Sequence, residues 1–416
     1  MITQKLLPIL IAVLVLATTL TGLFTVSAAA QSPTDTMQFH YDVAHSGNYT
    51  PVAGSAGNGQ LLWSFTTASS VWSSPAIVNG VVYIGSADDN VYALNATTGA
   101  KLWNYTTGDL VDSSPAVANG VVYVGSGDGN LYALNATTGA KLWNYKTGFY
   151  VLSSPALANG MVYVGSYDNN VYALNATTGA KVWNYTTGGA VESSPAVANG
   201  VVYVGSYDHN VYALNATTGA KVWNYTTGYL VRSSPAVVNG TVYIGSFDNN
   251  TYALNATTGA KVWNYTTGNW VYSSPAVVNG VVYVGSYDHN VYALNASTGA
   301  KVWNYTTGLM VLSSPAVVNG VVYVGSDDNN LYALNASTGA KLWSYRTALW
   351  VEANPAITNG VVYVGSDDGN VYAFSTVSST AGTASSGGFL GLPGFEAVYA
   401  VAGVLAVAYV LTRRRR

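Results

Sequence analysis

Residues 113–148 read SSPAVANG VVYVG SGDGN LYALN ATTGA KLWNYKTG, and this stretch decides the fold. Pro115 to Ala118 forms a first short apolar segment (A), ended by Asn119-Gly120, a dipeptide that closes two-residue hairpins. Val121 to Val124 is a β-branched segment (B), closed by Gly125-Ser126-Gly127-Asp128-Gly129. Asn130 to Leu134 is a third segment (C), Asn135 to Gly139 turns the chain, and Lys141 to Tyr145 is a fourth (D). Four short segments joined by tight turns predict one four-stranded antiparallel sheet.

The unit recurs every 40 residues, eight times, without insertion or deletion. Its tryptophans mark the beat: Trp63, Trp103, Trp143, Trp183, Trp223, Trp263, Trp303 and Trp343. Short strands at a fixed period of this length predict a propeller or a solenoid. A solenoid needs atypical capping repeats at its ends. Here the ends complement each other instead. The array opens with a lone D-type segment, Leu61 to Phe65, and closes with A, B and C segments and no D (Pro355 to Phe374). The first segment is therefore expected to complete the last blade and cover its open edge. The predicted fold is all-β: an eight-bladed β-propeller over 60–375, closed by its N-terminal strand.

Within each unit, Ala133-Leu134-Asn135-Ala136-Thr137-Thr138-Gly139-Ala140-Lys141-Leu142-Trp143 resembles the tryptophan-docking motif of pyrroloquinoline-quinone (PQQ) type eight-bladed propellers. Asn stands where that motif has Asp, and the Lys falls one place later. The segment Gln38 to Gly47 also resembles the lead-in to those propellers. The resemblance spans about 38–375 and implies that each Trp docks on the next blade. PQQ dehydrogenases of the family bind calcium through Glu, Asn and Asp and clamp their cofactor under a disulfide of adjacent cysteines. This chain has no cysteine and no acid triad apart from the repeat, so the expectation is no enzyme, cofactor or metal. The non-enzymatic relatives use the ring as a scaffold for protein contacts, and they match better. A quinone-dependent dehydrogenase and a purely structural surface-layer component stand as rivals.

Only 8% of the residues are charged and 12% are aromatic, a composition suited to sheets and turns rather than disorder. Net charge is −3 even with the four C-terminal arginines counted, so no basic surface for nucleic acid is expected. Both ends depart from the repeat. Lys5, an apolar run from Leu6 to about Val26 and Ala28-Ala29-Ala30 read as a signal peptide (1–30), with an uncleaved anchor as the alternative. A lead-in (31–59) follows. Beyond the ring, a Ser/Thr/Gly-rich stalk (376–392) leads to Pro393-Gly394-Phe395, an apolar run from Ala397 to Thr412, and Arg413 to Arg416. This tail (393–416) resembles the PGF-CTERM sorting signal of archaeal surface proteins. The resemblance implies removal by an archaeosortase and a lipid anchor, with a retained membrane helix as the alternative. Either places the repeats on the outer face of an archaeal cell membrane.

The copies differ from one another mainly in two connections. In the D-to-A connection one position reads Ser70, Leu110, Tyr150, Ala190, Leu230, Trp270, Met310, Trp350. Two residues on, the series is Trp72, Asp112, Leu152, Glu192, Arg232, Tyr272, Leu312, Glu352. In the B-to-C turn the series is Ala87, Gly127, Tyr167, Tyr207, Phe247, Tyr287, Asp327, Asp367. Antiparallel strands bring both connections to one end of each blade, so the variation is expected on one face, the Trp72 series nearest the central channel. Two readings fit: a binding face for an envelope protein or glycan, or drift in exposed turns after duplication. The candidate face comprises Trp72, Asp112, Tyr150, Glu192, Arg232, Trp270, Tyr272, Trp350 and Glu352.

Other features read as structural. The Asp88 series should bond its own turn rather than calcium. His209 and His289 lack matched partners for a metal. The Lys101 series should guard the outer edge. Asn-x-Ser/Thr sequons are numerous, and those on outer strand D (Asn104, Asn184, Asn224, Asn264 and Asn304) are the best candidates for glycosylation.

Overall fold

The structure, a computed structural model, describes residues 36–37, 42, 45–47, 49 and 58–376. The expected signal peptide, much of the lead-in, the stalk beyond Thr376 and the tail with Pro393, Gly394 and Phe395 lie outside the described residues.

Eight four-stranded antiparallel sheets follow one another in a ring, with no helix among the described residues. Blade 1 comprises Ala76–Val78 (A), Val81–Gly85 (B), Asn90–Asn95 (C) and Lys101–Thr106 (D). Six more blades repeat these bounds every 40 residues, with strand B of blade 7 one residue longer (Val321–Ser326). Strands B and C are sandwiched between neighbouring blades, so their apolar runs are buried on both faces: Val82, Ile84, Val91, Ala93 and Leu94 are all fully buried. Strand D is the outer edge and alternates, burying Trp and exposing its neighbours. A register shift opposite Ala93 and Leu94 leaves Leu102 out of the ladder and turns Trp103 toward the next blade. The A–B turns place Asn79 at φ 51° and Gly80 at φ 75°, the left-handed pair that such a hairpin requires.

The ring closes as the sequence predicts. Leu61–Thr66 pairs antiparallel with Asn370–Ser375 and becomes strand D of blade 8, beside Ala356–Thr358 (A) and Val361–Gly365 (B). Each indole then ties two blades. Trp103 Nε1 of blade 1 donates to the Ala136 carbonyl of blade 2 at 2.9 Å, and Tyr83 of strand B donates to the same oxygen at 3.1 Å. The bond recurs from Trp63–Ala96 to Trp303–Ala336. Trp343 differs. It faces blade 8, whose C–D turn is replaced by the seam between Ser375 and Leu61, and its buried Nε1 has no partner among the described residues. Its ring instead packs on Gly59, whose φ of +68° and missing Cβ make room for it.

A second belt lies at the channel. The N–H of Ser74 donates to Ser114 Oγ, that of Ser114 to Ser154 Oγ, and so on around the ring. In blade 8 Asn354 replaces the serine: its Oδ1 accepts from Ser314, and its N–H donates to Ser74 Oγ. Eight bonds of 2.5–3.2 Å thus form a closed loop. The preceding serine makes one bond within its blade and one to the next: Ser113 Oγ accepts the Gly125 N–H and donates to the Ser153 carbonyl.

Beyond the belt, the described residues of the lead-in bond the innermost strands. Thr36–Met37 adds to strand A of blade 2, His45 Nδ1 meets the Pro235 carbonyl at 3.1 Å, and Ser46 accepts the Val277 N–H at 2.7 Å. Gly47 and Tyr49 bond Val317, and the Tyr49 hydroxyl reaches the Pro355 carbonyl. The segment therefore contacts strand A or its leading proline in blades 2, 5, 6, 7 and 8.

Candidate functional site

The D–A connection and the B–C turn of the following blade are hydrogen-bonded to each other. Ala87 N–H donates to the Ser70 carbonyl, Tyr167 to Tyr150, Tyr287 to Trp270 and Asp367 to Trp350. This pairing puts the variable positions at one end of the ring. Beneath them, the Asp turn is a fixed cross-brace. Asp128 accepts from Asn130 N–H, from Tyr132 Oη and from the Gly108 N–H of the D–A connection. Burial would raise its pKa, but these donors win and hold it below the ordinary value. His209 (φ 72°) and His289 (φ 71°) occupy the left-handed position that is Asp89, Gly129 or Asn169 in other blades. Histidine tolerates that conformation, which accounts for both residues without a metal.

The structure separates the sequence-derived candidates into two sets. Trp72, Asp112, Glu192, Arg232, Tyr272 and Glu352, with Leu152 and Leu312, form the wall of a pit of about 90 Å³ whose lower lining is the serine belt. Tyr150, Trp270 and Trp350 stand on the rim instead, 40%, 41% and 45% exposed. Trp270 lies face to face with Phe247 at 4.9 Å, and Tyr150 stacks on Phe149 at 4.1 Å. The residue before the Tyr150 series adds further exposed apolar groups to the rim: Phe149, Tyr229, Leu309 and Leu349. The same blade-to-blade variation would have identified that series.

Charge divides the pit into two halves. On one side Arg232 pairs with Glu192, which also receives the hydroxyls of Tyr167, Tyr207 and Tyr272. The guanidinium sits 4.6 Å from the Tyr272 ring centroid and 5.9 Å from those of Tyr207 and Phe247. Burial, then the Glu192 charge, pushes the Tyr167, Tyr207 and Tyr272 phenols well above their ordinary value. In that half only the Arg232 Nε is buried without a partner among the described residues.

The other half is acidic. Asp112 and Glu352, from the D–A connections, line it, and Asp327 and Asp367, from B–C turns outside the lining, act on Glu352 electrostatically. Burial first, and Glu192 second, raises Asp112 to about 7. Burial and Asp367 raise Asp327 to about 7, and burial with Asp367, Asp327 and Asp112 raises Glu352 to about 8. Asp367 accepts the Trp72 indole N–H at 3.1 Å through Oδ2. Its Oδ1 and that of Asp327, which is 2% exposed, are buried without a partner among the described residues. No group of three or more acidic or His residues there is arranged to hold a metal ion.

On strand D, Asn104, Asn184, Asn224, Asn264 and Asn304 are exposed, each donating Nδ2 to the strand-C Asn opposite at 2.9–3.0 Å. The Asn95 series spends Oδ1 on its own turn, accepting from Thr97 and Thr98 N–H.

Residues 48–154, 150–233, 229–316 and 307–381 match the model of the family described as outer membrane protein assembly factor BamB. Residues 392–415 match the PGF-CTERM motif, which marks proteins anchored at the archaeal cell surface. No curated protein sequence matches the chain. Among solved structures, BamB from Moraxella catarrhalis is 23% identical with a TM-score of 0.66, covering 76% of this chain and 99% of that one. The europium-containing methanol dehydrogenase is 16% identical with a TM-score of 0.70, covering 83% and 98%. Quinohemoprotein alcohol dehydrogenase from Comamonas testosteroni is 17% identical with a TM-score of 0.71, covering 88% and 82%. At these identities the likeness is one of fold.

Proposed function

The chain belongs to the family of outer membrane protein assembly factor BamB, and on that premise we propose that it is a non-catalytic binding or scaffold module of the archaeal cell envelope, contacting a protein or glycan through the face built by its D–A and B–C connections. The observation that carries the reading is the concentration of exposed Tyr, Trp, Phe and Leu on that rim, over a scaffold otherwise nearly identical from blade to blade. Such residues are the usual anchors of protein interfaces, and aromatic planes also stack on sugars. A signal peptide would export the repeats. An archaeosortase would act at Pro393-Gly394-Phe395 to leave a lipid anchor, the stalk would hold the ring off the membrane, and glycans would attach at the Asn104 series.

The fold family also includes quinoproteins, and the residues present do not suit their cofactor. PQQ is a tricarboxylate, whereas the pit offers one cation, Arg232, already paired with Glu192, against two further carboxylates in its lining, Asp112 and Glu352. Its volume of about 90 Å³ is also well under the roughly 300–1,000 Å³ of ordinary cofactor sites. The test is reconstitution of the purified full-length protein with PQQ and calcium, followed by a dye-linked alcohol or sugar assay. Background rates are expected; clear turnover would overturn the non-catalytic reading.

A further inference from the structure

We propose that the uniform face, opposite the aromatic rim, is an electrostatic docking surface for the anionic headgroups of a lipid membrane, carried by one lysine from each of seven blades. The inference rests on the reading that the tail (393–416) anchors the chain in a membrane, and it adds which face of the ring meets that membrane.

The two ends of the blades differ in charge. Every Asp and Glu of residues 58–376 lies in a B–C turn or a D–A connection, at the rim end. The A–B and C–D turns make the other end, where the Ala96 N–H donates to the Gly80 carbonyl at 2.9 Å, and they hold no acid. Strand D begins at that end. Its first residue is lysine in seven blades, from Lys101 every 40 residues to Lys341, and Leu61 in blade 8. All seven lysines are exposed, and none is ion-paired among the described residues. In five blades the amine donates to an Asn side-chain oxygen three residues on, at 3.0–3.3 Å, a contact that neutralises no charge. The six residues of strand D span about 20 Å, roughly two Debye lengths at physiological ionic strength, so the acids of the rim end do not cancel the lysines. Guarding a strand edge accounts for a lysine on strand D but not for an end without carboxylates. Asn95 bears on that difference: its Oδ1 accepts from the Thr97 and Thr98 N–H groups, and an aspartate would cap the turn at least as well. Asn at this position, where the docking motif has Asp, leaves the lysines unopposed. The chain also leaves the ring at this end. The Thr376 N–H donates to the Gly360 carbonyl of the last A–B turn at 2.8 Å, and sixteen residues then separate Thr376 from Pro393. The anchor thus pulls on the lysine-bearing face, and lysines at one level of a ring can approach a flat surface together. Each one near an anionic membrane strengthens binding by about fivefold, so a few suffice. The aromatic rim then points away from the membrane, toward the rest of the envelope.

The test places the full-length protein in vesicles of phosphatidylcholine and in vesicles of equal parts phosphatidylcholine and phosphatidylglycerol. Exposed amines are acylated with a membrane-impermeant reagent, and each lysine is read by mass spectrometry. At about 0.15 M salt, where charges act over about 8 Å, the Lys101 series should react at least about fivefold less in the anionic vesicles. Lys146, at the rim end of strand D, should react equally in both. About 1 M salt, which shortens that reach to about 3 Å, should abolish the protection. The variant Lys141→Gln/Lys181→Gln/Lys221→Gln/Lys261→Gln changes exposed positions only and should fold while losing most of the protection at Lys301 and Lys341. Equal reactivity in the two vesicles, equal protection of Lys146, protection that survives high salt, or undiminished protection in the variant would overturn the inference. So would equal protection by soluble polyglutamate beside neutral vesicles, which assigns the face to an acidic polymer. A chain anchored in both vesicle types without protection sinks the lysine face and leaves the anchored rim module standing. Association with anionic vesicles alone upholds the lysine face and refutes the anchor.

Discussion

Replacing Glu352 with Gln should make the protein more stable at alkaline pH and flatten its dependence on pH. Glu352 is carried from an ordinary 4.5 to about 8 by burial and by Asp367, Asp327 and Asp112. Between those two values the folded chain holds a proton that the unfolded chain has released. Stability contributed by this group is therefore full below about pH 4.5 and falls as pH rises through about 8. At 1.36 kcal/mol per pKa unit the displacement corresponds to about 4–5 kcal/mol in a dry site. Water in the pit screens it, and the working figure is about 2–4 kcal/mol. For a ring of this size that is a fall in Tm of about 3–6 °C. Asp112 and Asp327, both raised to about 7, add to the same slope. The Asp88, Asp128, Asp168 and Asp208 turns have lowered values, so their stabilising contribution is lost only in more acidic solution. Calorimetry from about pH 5 to 9, the window set by these values, should show the wild type losing Tm with rising pH and Glu352→Gln losing markedly less. A wild-type Tm that is flat or rises over this range, or a Glu352→Gln curve parallel to it, would refute the reasoning.

Three further outcomes follow from particular contacts. Trp223→Phe removes the 2.9 Å bond to Ala256 and should cost about 1 kcal/mol more than Trp343→Phe, because the Trp343 N–H has no partner among the described residues; chemical denaturation of the two variants measures the difference. Gly59→Ala forces a Cβ to 2.6 Å from the Trp343 ring at φ +68°, whereas Gly80 has φ +75° but open space around it. The first should therefore lower stability by about 2–4 kcal/mol and the second by about 1 kcal/mol, compared by urea midpoint. Arg232→Met leaves Glu192 buried without its cation and should cost about 3–5 kcal/mol, and the pair Arg232→Met/Glu192→Gln should recover most of that loss in the same assay.

The period carried the fold because each blade is stabilised mainly by local hairpins and by contacts to the next copy, and both repeat with the sequence. The seam was legible for the same reason: a D segment missing at one end appears at the other. Grouping of the variable positions on one face followed from strand direction alone. The serine belt was not legible, because Ser74 and Ser114 meet only when blades converge on the channel axis, and an identical residue in seven copies carries no contrast. Nor was the path of the lead-in, whose bonds run from His45 to Pro235 and from Tyr49 to Pro355. The series of alternating identities also could not show that Glu192 would be served by Tyr167 and Tyr207 from the B–C turns, leaving Asp327 and Asp367 unmatched. Those contacts depend on which blades become neighbours across a curved wall.

The central claim is that the face bearing the rim aromatics binds a component of the envelope. The direct measurement is saturable binding of a solubilised archaeal envelope fraction to immobilised full-length protein. Three forms are compared: wild type, Tyr150→Ala/Trp270→Ala/Trp350→Ala, and Thr138→Ala on the opposite, uniform face. The account predicts at least about a tenfold loss for the rim variant, the equivalent of about 1.4 kcal/mol, and wild-type binding for Thr138→Ala. Undiminished binding by the rim variant, or a loss confined to Thr138→Ala, would contradict it.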